Sequence, residues 1–130
     1  MQCKNTTLTK LFISIILISI GLWTKIYSGI GSEFVTNYLG GVIYVIFFVL
    51  VASLVFQNID PSRITLIVLC TTCLLEFSQL VQNDFLYSLR TNFVIRSLIG
   101  SVFNIFDFIF YIIGAVIGYA LLIILKNIKQ

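Results

Sequence analysis

The stretch Tyr38–Phe56, YLGGVIYVIFFVLVASLVF, decides the fold. It contains no charged residue, and its apolar positions run on without alternating. A helix rises about 1.5 Å per residue and the hydrocarbon core of a bilayer is about 30 Å thick, so roughly 20 residues cross it. Spanning strands would alternate apolar with polar residues. The stretch is therefore a spanning helix. Working outward, runs of the same kind occupy about 8–27, 64–82 and 105–125. The last apolar stretch already begins at Leu98. Counting back about 20 residues from Leu125 places its membrane start near Phe106.

Composition agrees. Hydrophobic residues make up 59% of the 130 and charged residues 10%, with a mean hydropathy of +1.09. Soluble domains are about one quarter charged. The charges here are too few to cover a water-facing globule, which excludes a soluble enzyme, a disordered chain and a nucleic-acid binder. The expected fold is all-α: a polytopic membrane protein, one domain over 1–130, with four transmembrane helices in a bundle. A short interfacial helix is expected between helices three and four. There Phe85, Leu86, Leu89 and Phe93 recur at helical spacing, with Asp84, Arg90 and Asn92 between them. Asp60-Pro61-Ser62-Arg63 reads as a turn that opens the third helix. No small-residue cleavage site follows Trp23, so the first run is read as an uncleaved anchor.

Basic residues set the orientation. Lys4, Lys10, Arg63, Lys126 and Lys129 lie on one side, against Lys25, Arg90 and Arg96 on the other. That excess puts both termini in the cytoplasm of a bacterial inner membrane. Trp23, Tyr27, Tyr38 and Tyr87 gather on the far side like an aromatic belt. The chain has no His, so it has no imidazole base or ligand. Cys70-x-x-Cys73 resembles half of a redox or zinc site, but it lies mid-span without a second pair and is read as packing. No metal or cofactor is expected.

The informative residues are the acids inside the spans. A charge at mid-bilayer costs roughly 2.5 to 3.5 kcal/mol, so such residues face the bundle interior and find partners. Counted from the cytoplasmic ends, Glu76 lies about 18 Å deep, Lys25, Gln79 and Tyr111 about 21 to 23 Å, and Asp107 about 27 Å. They form one layer in the outer half of the bilayer. Thr65, Thr72, Glu76, Gln79 and Asn83 share a face of the third helix. Gly100, Asn104, Asp107, Tyr111, Gly114 and Gly118 share one on the fourth, and Asn37, Gly41, Tyr44 and Phe48 one on the second. The expected polar cluster is Lys25, Tyr44, Glu76, Gln79, Arg90, Arg96, Asp107 and Tyr111. Gly100, Gly114 and Gly118 are expected to pack helices closely. Depth pairs Glu76 with Lys25, and Asp107 with Arg96 or Arg90; the alternative has a protonated Glu76 bonded to Gln79 or Tyr44, with Lys25 reaching out to lipid phosphate.

The chain resembles a bacterial family of small four-helix membrane proteins known only as a domain of unknown function, itself similar to VanZ-like proteins. The matching elements are Lys25-x-Tyr27-x-Gly29, Asn37-Tyr38-Leu39-Gly40-Gly41-Val42-Ile43-Tyr44, Glu76-x-x-Gln79, Leu89-Arg90, and Gly100-x-x-Phe103-x-x-x-Asp107-x-x-x-Tyr111-x-x-Gly114. Automated names tie the family to ribosomal maturation of the YjgA type, for which these residues offer no basis. Members often carry an acid where this chain has Gly41. The resemblance implies a fold and a membrane address without an established activity. Its VanZ-like side implies the cell envelope and glycopeptide tolerance.

Three functions follow as expectations. The first is a non-catalytic envelope protein whose polar cluster contacts membrane lipid, a phospholipid headgroup or a protein partner. The second is a membrane enzyme acting on a lipid-linked phosphate, with the carboxylates as acid and base and the arginines holding the phosphate. It lacks a nucleophile beside a base, so the enzyme reading is the weaker. The third is a subunit of an oligomeric transporter, since four spans alone are few.

Overall fold

The computed structural model describes residues 2–128 except Gln82 and Ser101, with side chains from Asn5 onward. The side chains of Cys3 and Lys4, and all of Lys129, lie outside what is described. The described elements are all helical. Helix α1 is Gln2–Ile26. A second rod joins α2 (Ser32–Phe34), a π-helical turn (Val35–Leu39) and α3 (Gly40–Val55). Then come α4 (Pro61–Ser78), α5 (Asp84–Arg90), α6 (Phe93–Ile99) and α7 (Asp107–Asn127). Four stretches are long and apolar enough to cross a membrane: Asn5–Ile26, Ser32–Val55, Pro61–Ser78 and Asp107–Asn127.

The boundaries correct the expectation in four places. The second rod starts at Ser32, ahead of Tyr38, because polar Glu33, Thr36 and Asn37 interrupt hydropathy but not helix. Helix α4 opens at Pro61, after extended Asp60, but closes at Ser78. Gln79 is thus its C-cap, and Asn83 does not extend its face. Helix α7 begins only at Asp107, so Gly100 and Asn104 do not belong to its stripe. Asn104 instead builds the turn into α7. Its Oδ1 accepts from the Phe106 N–H at 3.1 Å and its carbonyl from the Asp107 N–H at 3.0 Å. Finally, the expected interfacial helix is two helices. They break at Asn92, whose Oδ1 accepts from the Val94 N–H at 3.0 Å as the N-cap of α6.

Helix α3 is the centre of the bundle. It packs against α1, α4 and α7, while α4 and α7 also meet each other and α1 joins through α3 and the π turn. Val45, Val49 and Leu50 of α3 are completely buried, with Ile64, Leu122 and Leu125 around them. Lipid tails are as apolar as these side chains, so close packing holds helices together there. The α3–α7 seam shows it. A Cβ on Gly114 would lie 2.8 Å from the Val42 carbonyl oxygen, and one on Gly118 would lie 3.2 Å from Val49 Cβ. Hydroxyls within the spans bond back to their own helices: Ser19 donates to the Ile15 carbonyl, Thr65 to Pro61 and Thr72 to Val68. The outer faces expose Phe12, Ile15, Leu66, Leu74, Ile112, Val116 and Ile124. So broad an apolar surface suits lipid and not water.

The helices run up and down. Thr6 and Lys10 of α1, the Gln57–Pro61 connection and Lys126 of α7 surround a small cavity of about 250 Å³ at one end. The opposite end is where α1 and α4 stop, α2 and α7 start, and the α5–α6 segment crosses.

Candidate polar cavity

At that second end lies a larger cavity of about 580 Å³. Its wall holds seven of the eight residues expected in the polar cluster: Lys25, Tyr44, Glu76, Gln79, Arg96, Asp107 and Tyr111. Arg90 is not among them. It ends α5, with Nε and Nη2 buried and without a partner.

Glu76 sits at the base of the site and is 2% exposed. The expected Lys25 pair is not what holds it. Tyr111 donates its hydroxyl to Glu76 Oε2 at 2.8 Å, Gln79 donates Nε2 to the same oxygen at 2.9 Å, and the Asn104 N–H donates to Oε1 at 3.2 Å. Depth along each helix suggested a lysine because face-matching carried the fourth helix back through Asn104 and Gly100, whereas α7 starts only at Asp107. That late start brings the Asn104 backbone over Glu76. Among the described residues, no ion pair within 4.0 Å joins Lys25, Arg90 or Arg96 to Glu76 or Asp107. Asp107 Oδ1 has no hydrogen-bond partner at all. Lys25 and Arg96 are exposed at the cavity.

The wall formed by α6 is tied down through its C-terminal carbonyls, which have no partner within the helix. Tyr44 of α3 donates its hydroxyl to the Leu98 carbonyl at 2.8 Å. Gln79 donates Nε2 to the Ile99 carbonyl at 3.0 Å. One amide thus bridges Glu76 and the end of α6. Gly100 ends α6 at φ 80°, ψ 171°, a conformation essentially reserved for glycine. A Cβ there would lie 2.5 Å from Gln79 Nε2. Gly100 was expected to pack helices; it instead terminates one and makes room for the Gln79 amide. These ties fix where α6 carries Arg96.

The π turn was missed by the sequence reading. Its signature is the Gly40 N–H bonding the Val35 carbonyl, and π turns often mark functional sites. Here it brings Thr36 and Asn37 to the cavity wall. Thr36 donates its hydroxyl to the carbonyl of buried Thr24 at 3.0 Å, tying the turn to the end of α1 beside Lys25. Only Asn37 of this group had been singled out from the sequence. Away from the cavity, Cys70 faces the outside of the bundle, Cys73 is half-buried, and neither is in a disulfide.

The model of a family described as a protein of unknown function, DUF2809, matches residues 30–115. The chain belongs to this family. The DUF2809 match takes in the π turn, Glu76, Gln79, the α5–α6 segment and Tyr111, and so every cavity residue except Lys25. No curated protein and no solved structure matches the chain. It is a membrane protein of unknown function by family and by its four apolar helices.

Proposed function

We propose that this protein is a non-catalytic component of the bacterial cell membrane that binds the phosphate-bearing headgroup of a membrane lipid or lipid-linked molecule. The observation that carries the reading is that Lys25 and Arg96, neither in an ion pair within 4.0 Å among the described residues, lie on the wall of one polar cavity among spanning helices. An intramembrane charge without a protein partner is expected to serve a ligand. A guanidinium offers a phosphate two parallel donors, and an ammonium adds a point charge. The two residues come from separate elements, so a phosphate between them would bridge α1 and α6.

The commitment of Glu76 favours binding over catalysis. A general base needs a lone pair directed at substrate, whereas Glu76 accepts from three protein donors. With both termini cytoplasmic, as the basic residues favour, the cavity faces the outer leaflet. Native mass spectrometry of the delipidated protein, offered phospholipid or diacylglycerol in mild detergent, tests the reading. Phospholipid should be retained and phosphate-free diacylglycerol should not. Lys25→Met and Arg96→Met should each weaken retention. Equal retention of both lipids would remove the phosphate from the argument.

A further inference from the structure

Two cations do not exhaust the cavity's unmet groups. Asp107 lines the same wall, and its Oδ1 accepts no hydrogen bond. Gln79 adds a second lone acceptor. Its Nε2 faces two acceptors, Glu76 Oε2 and the Ile99 carbonyl. The amide therefore cannot be reversed without setting oxygen against oxygen. That leaves Gln79 Oε1 buried without a donor, in a residue that is 9% exposed. The site thus holds two cations without an ion pair within 4.0 Å, Lys25 feeling Asp107 only through space, and a carboxylate and an amide oxygen that lack a hydrogen-bond donor.

We infer that the cavity selects a zwitterionic headgroup in which a phosphate diester is followed by a primary ammonium, as in an ethanolamine phospholipid. The proposal rests on the headgroup reading above and deepens it. The phosphate sits between Lys25 and Arg96. The ammonium carries three N–H donors, one for Asp107 Oδ1, one for Gln79 Oε1 and one to spare. A glycerol headgroup has hydroxyl donors but no cation for Asp107. A choline headgroup has the cation but no N–H. Ethanolamine supplies both. Water would meet the acceptors without discriminating between headgroups. A Lys25 side chain swung onto Asp107 would do the same, and both are therefore outcomes the test separates.

The comparison that decides is ethanolamine against choline phospholipid with identical acyl chains, offered together to the delipidated full chain and read by native mass spectrometry. The two share a phosphate and net charge and differ in the N–H donors. The expected result is about tenfold more ethanolamine lipid bound, the ratio that a charge-assisted hydrogen bond confers. Asp107→Asn should bring the ratio towards one while phospholipid is still retained. Arg96→Met should weaken both lipids and leave the ratio in place. Soluble phosphoethanolamine, added in excess, separates a free headgroup from a lipid: displacement of the bound lipid would assign the site to the small molecule, and no displacement to the lipid. Equal binding of the two phospholipids by the wild-type chain would overturn the inference, while leaving a phosphate site intact if diacylglycerol is still rejected. An unchanged ratio in Asp107→Asn would also overturn it, by removing the carboxylate from recognition.

Discussion

Glu76 shows how one side chain can organise a site without reacting. It is almost completely buried and accepts from Gln79, Tyr111 and the Asn104 backbone. Replacing it with Gln would turn one acceptor into an NH2 group facing donors. A double-mutant cycle separates the partners. Glu76→Gln and Tyr111→Phe should couple by about 0.5 to 3 kcal/mol, the range for residues in direct contact. Glu76→Gln and Lys25→Met should be additive within about 0.5 kcal/mol. Thermal melts in detergent read both, and coupling with Lys25 instead of Tyr111 would refute the hydrogen-bond arrangement. Gly100 offers a second residue-scale test. Its backbone lies where only glycine is at ease, with the Gln79 amide against its face. Gly100→Ala should cost about 1 to 3 kcal/mol from the backbone alone, seen as a lower melting temperature. An unchanged melt would mean that the end of α6 is not held in this geometry.

Among the elements, the seam between α3 and α7 makes the sharpest prediction. Gly114 faces the Val42 backbone, so an added side chain has no flexible neighbour to push aside; Gly118 faces Val49. Gly114→Leu and Gly118→Leu should therefore destabilise the protein strongly, while Ile117→Leu and Val116→Leu, on the exposed side of α7, should change little. Ala115 is buried and is no neutral control. The tie between α3 and α6 is weaker. Tyr44→Phe strands the Leu98 carbonyl and should cost about 0.6 to 1.7 kcal/mol, as interhelical hydrogen bonds in membranes do. At this scale the sequence was most legible where hydropathy speaks: four spans, and a Gly114–Gly118 stripe whose spacing marks close approach. It was least legible where polar residues continue or end helices. Thr36 belongs to a rod that hydropathy had started at Tyr38, although face-matching had already placed Asn37 on it, and Asn104 builds the turn into a helix that face-matching had extended through it. Asn92 was a readable N-cap before an apolar run, and weighing it would have split the interfacial segment in two. The π turn left no signal in hydropathy or periodicity. Glu76, Gln79, Tyr111 and Asp107 were found as inward-facing polar residues at similar depth. Of their contacts only the Glu76–Gln79 bond was foreseen, as the alternative to the Lys25 pair; the Tyr111 and Asn104 bonds were not, because depth along a helix says nothing about which loop backbone folds over its end.

For the whole molecule, the basic residues at the two ends of the bundle give an expected orientation. Four crossings return the chain to its starting side. Thr6, Lys10, the Gln57–Pro61 connection and Lys126 indeed gather at one end, while Lys25, Arg96 and Asp107 line the cavity at the other. Basic residues are retained on the cytoplasmic side during insertion, and the first end carries Lys10, Arg63 and Lys126. The cavity end has three, Lys25, Arg90 and Arg96, and in the sequence Lys4 and Lys129 flank the spans on the first side, which makes the count five against three. The expected topology thus has the cavity opening towards the outer leaflet. Single-cysteine reporters test this in a background where Cys3, Cys70 and Cys73 are replaced by Ser. Glu33 and Asn58 are both exposed and mark opposite ends of the same rod, Ser32–Val55: Glu33 lies in its first turn and Asn58 just past its last. Glu33→Cys should react with a membrane-impermeant maleimide in intact spheroplasts, and Asn58→Cys only after the membrane is opened. A C-terminal alkaline phosphatase fusion should be inactive in the same cells. The reverse labelling pattern would put the cavity on the cytoplasmic side, and headgroups of the inner leaflet would then be the ones within its reach. Labelling of both reporters from outside would contradict a single spanning rod over Ser32–Val55.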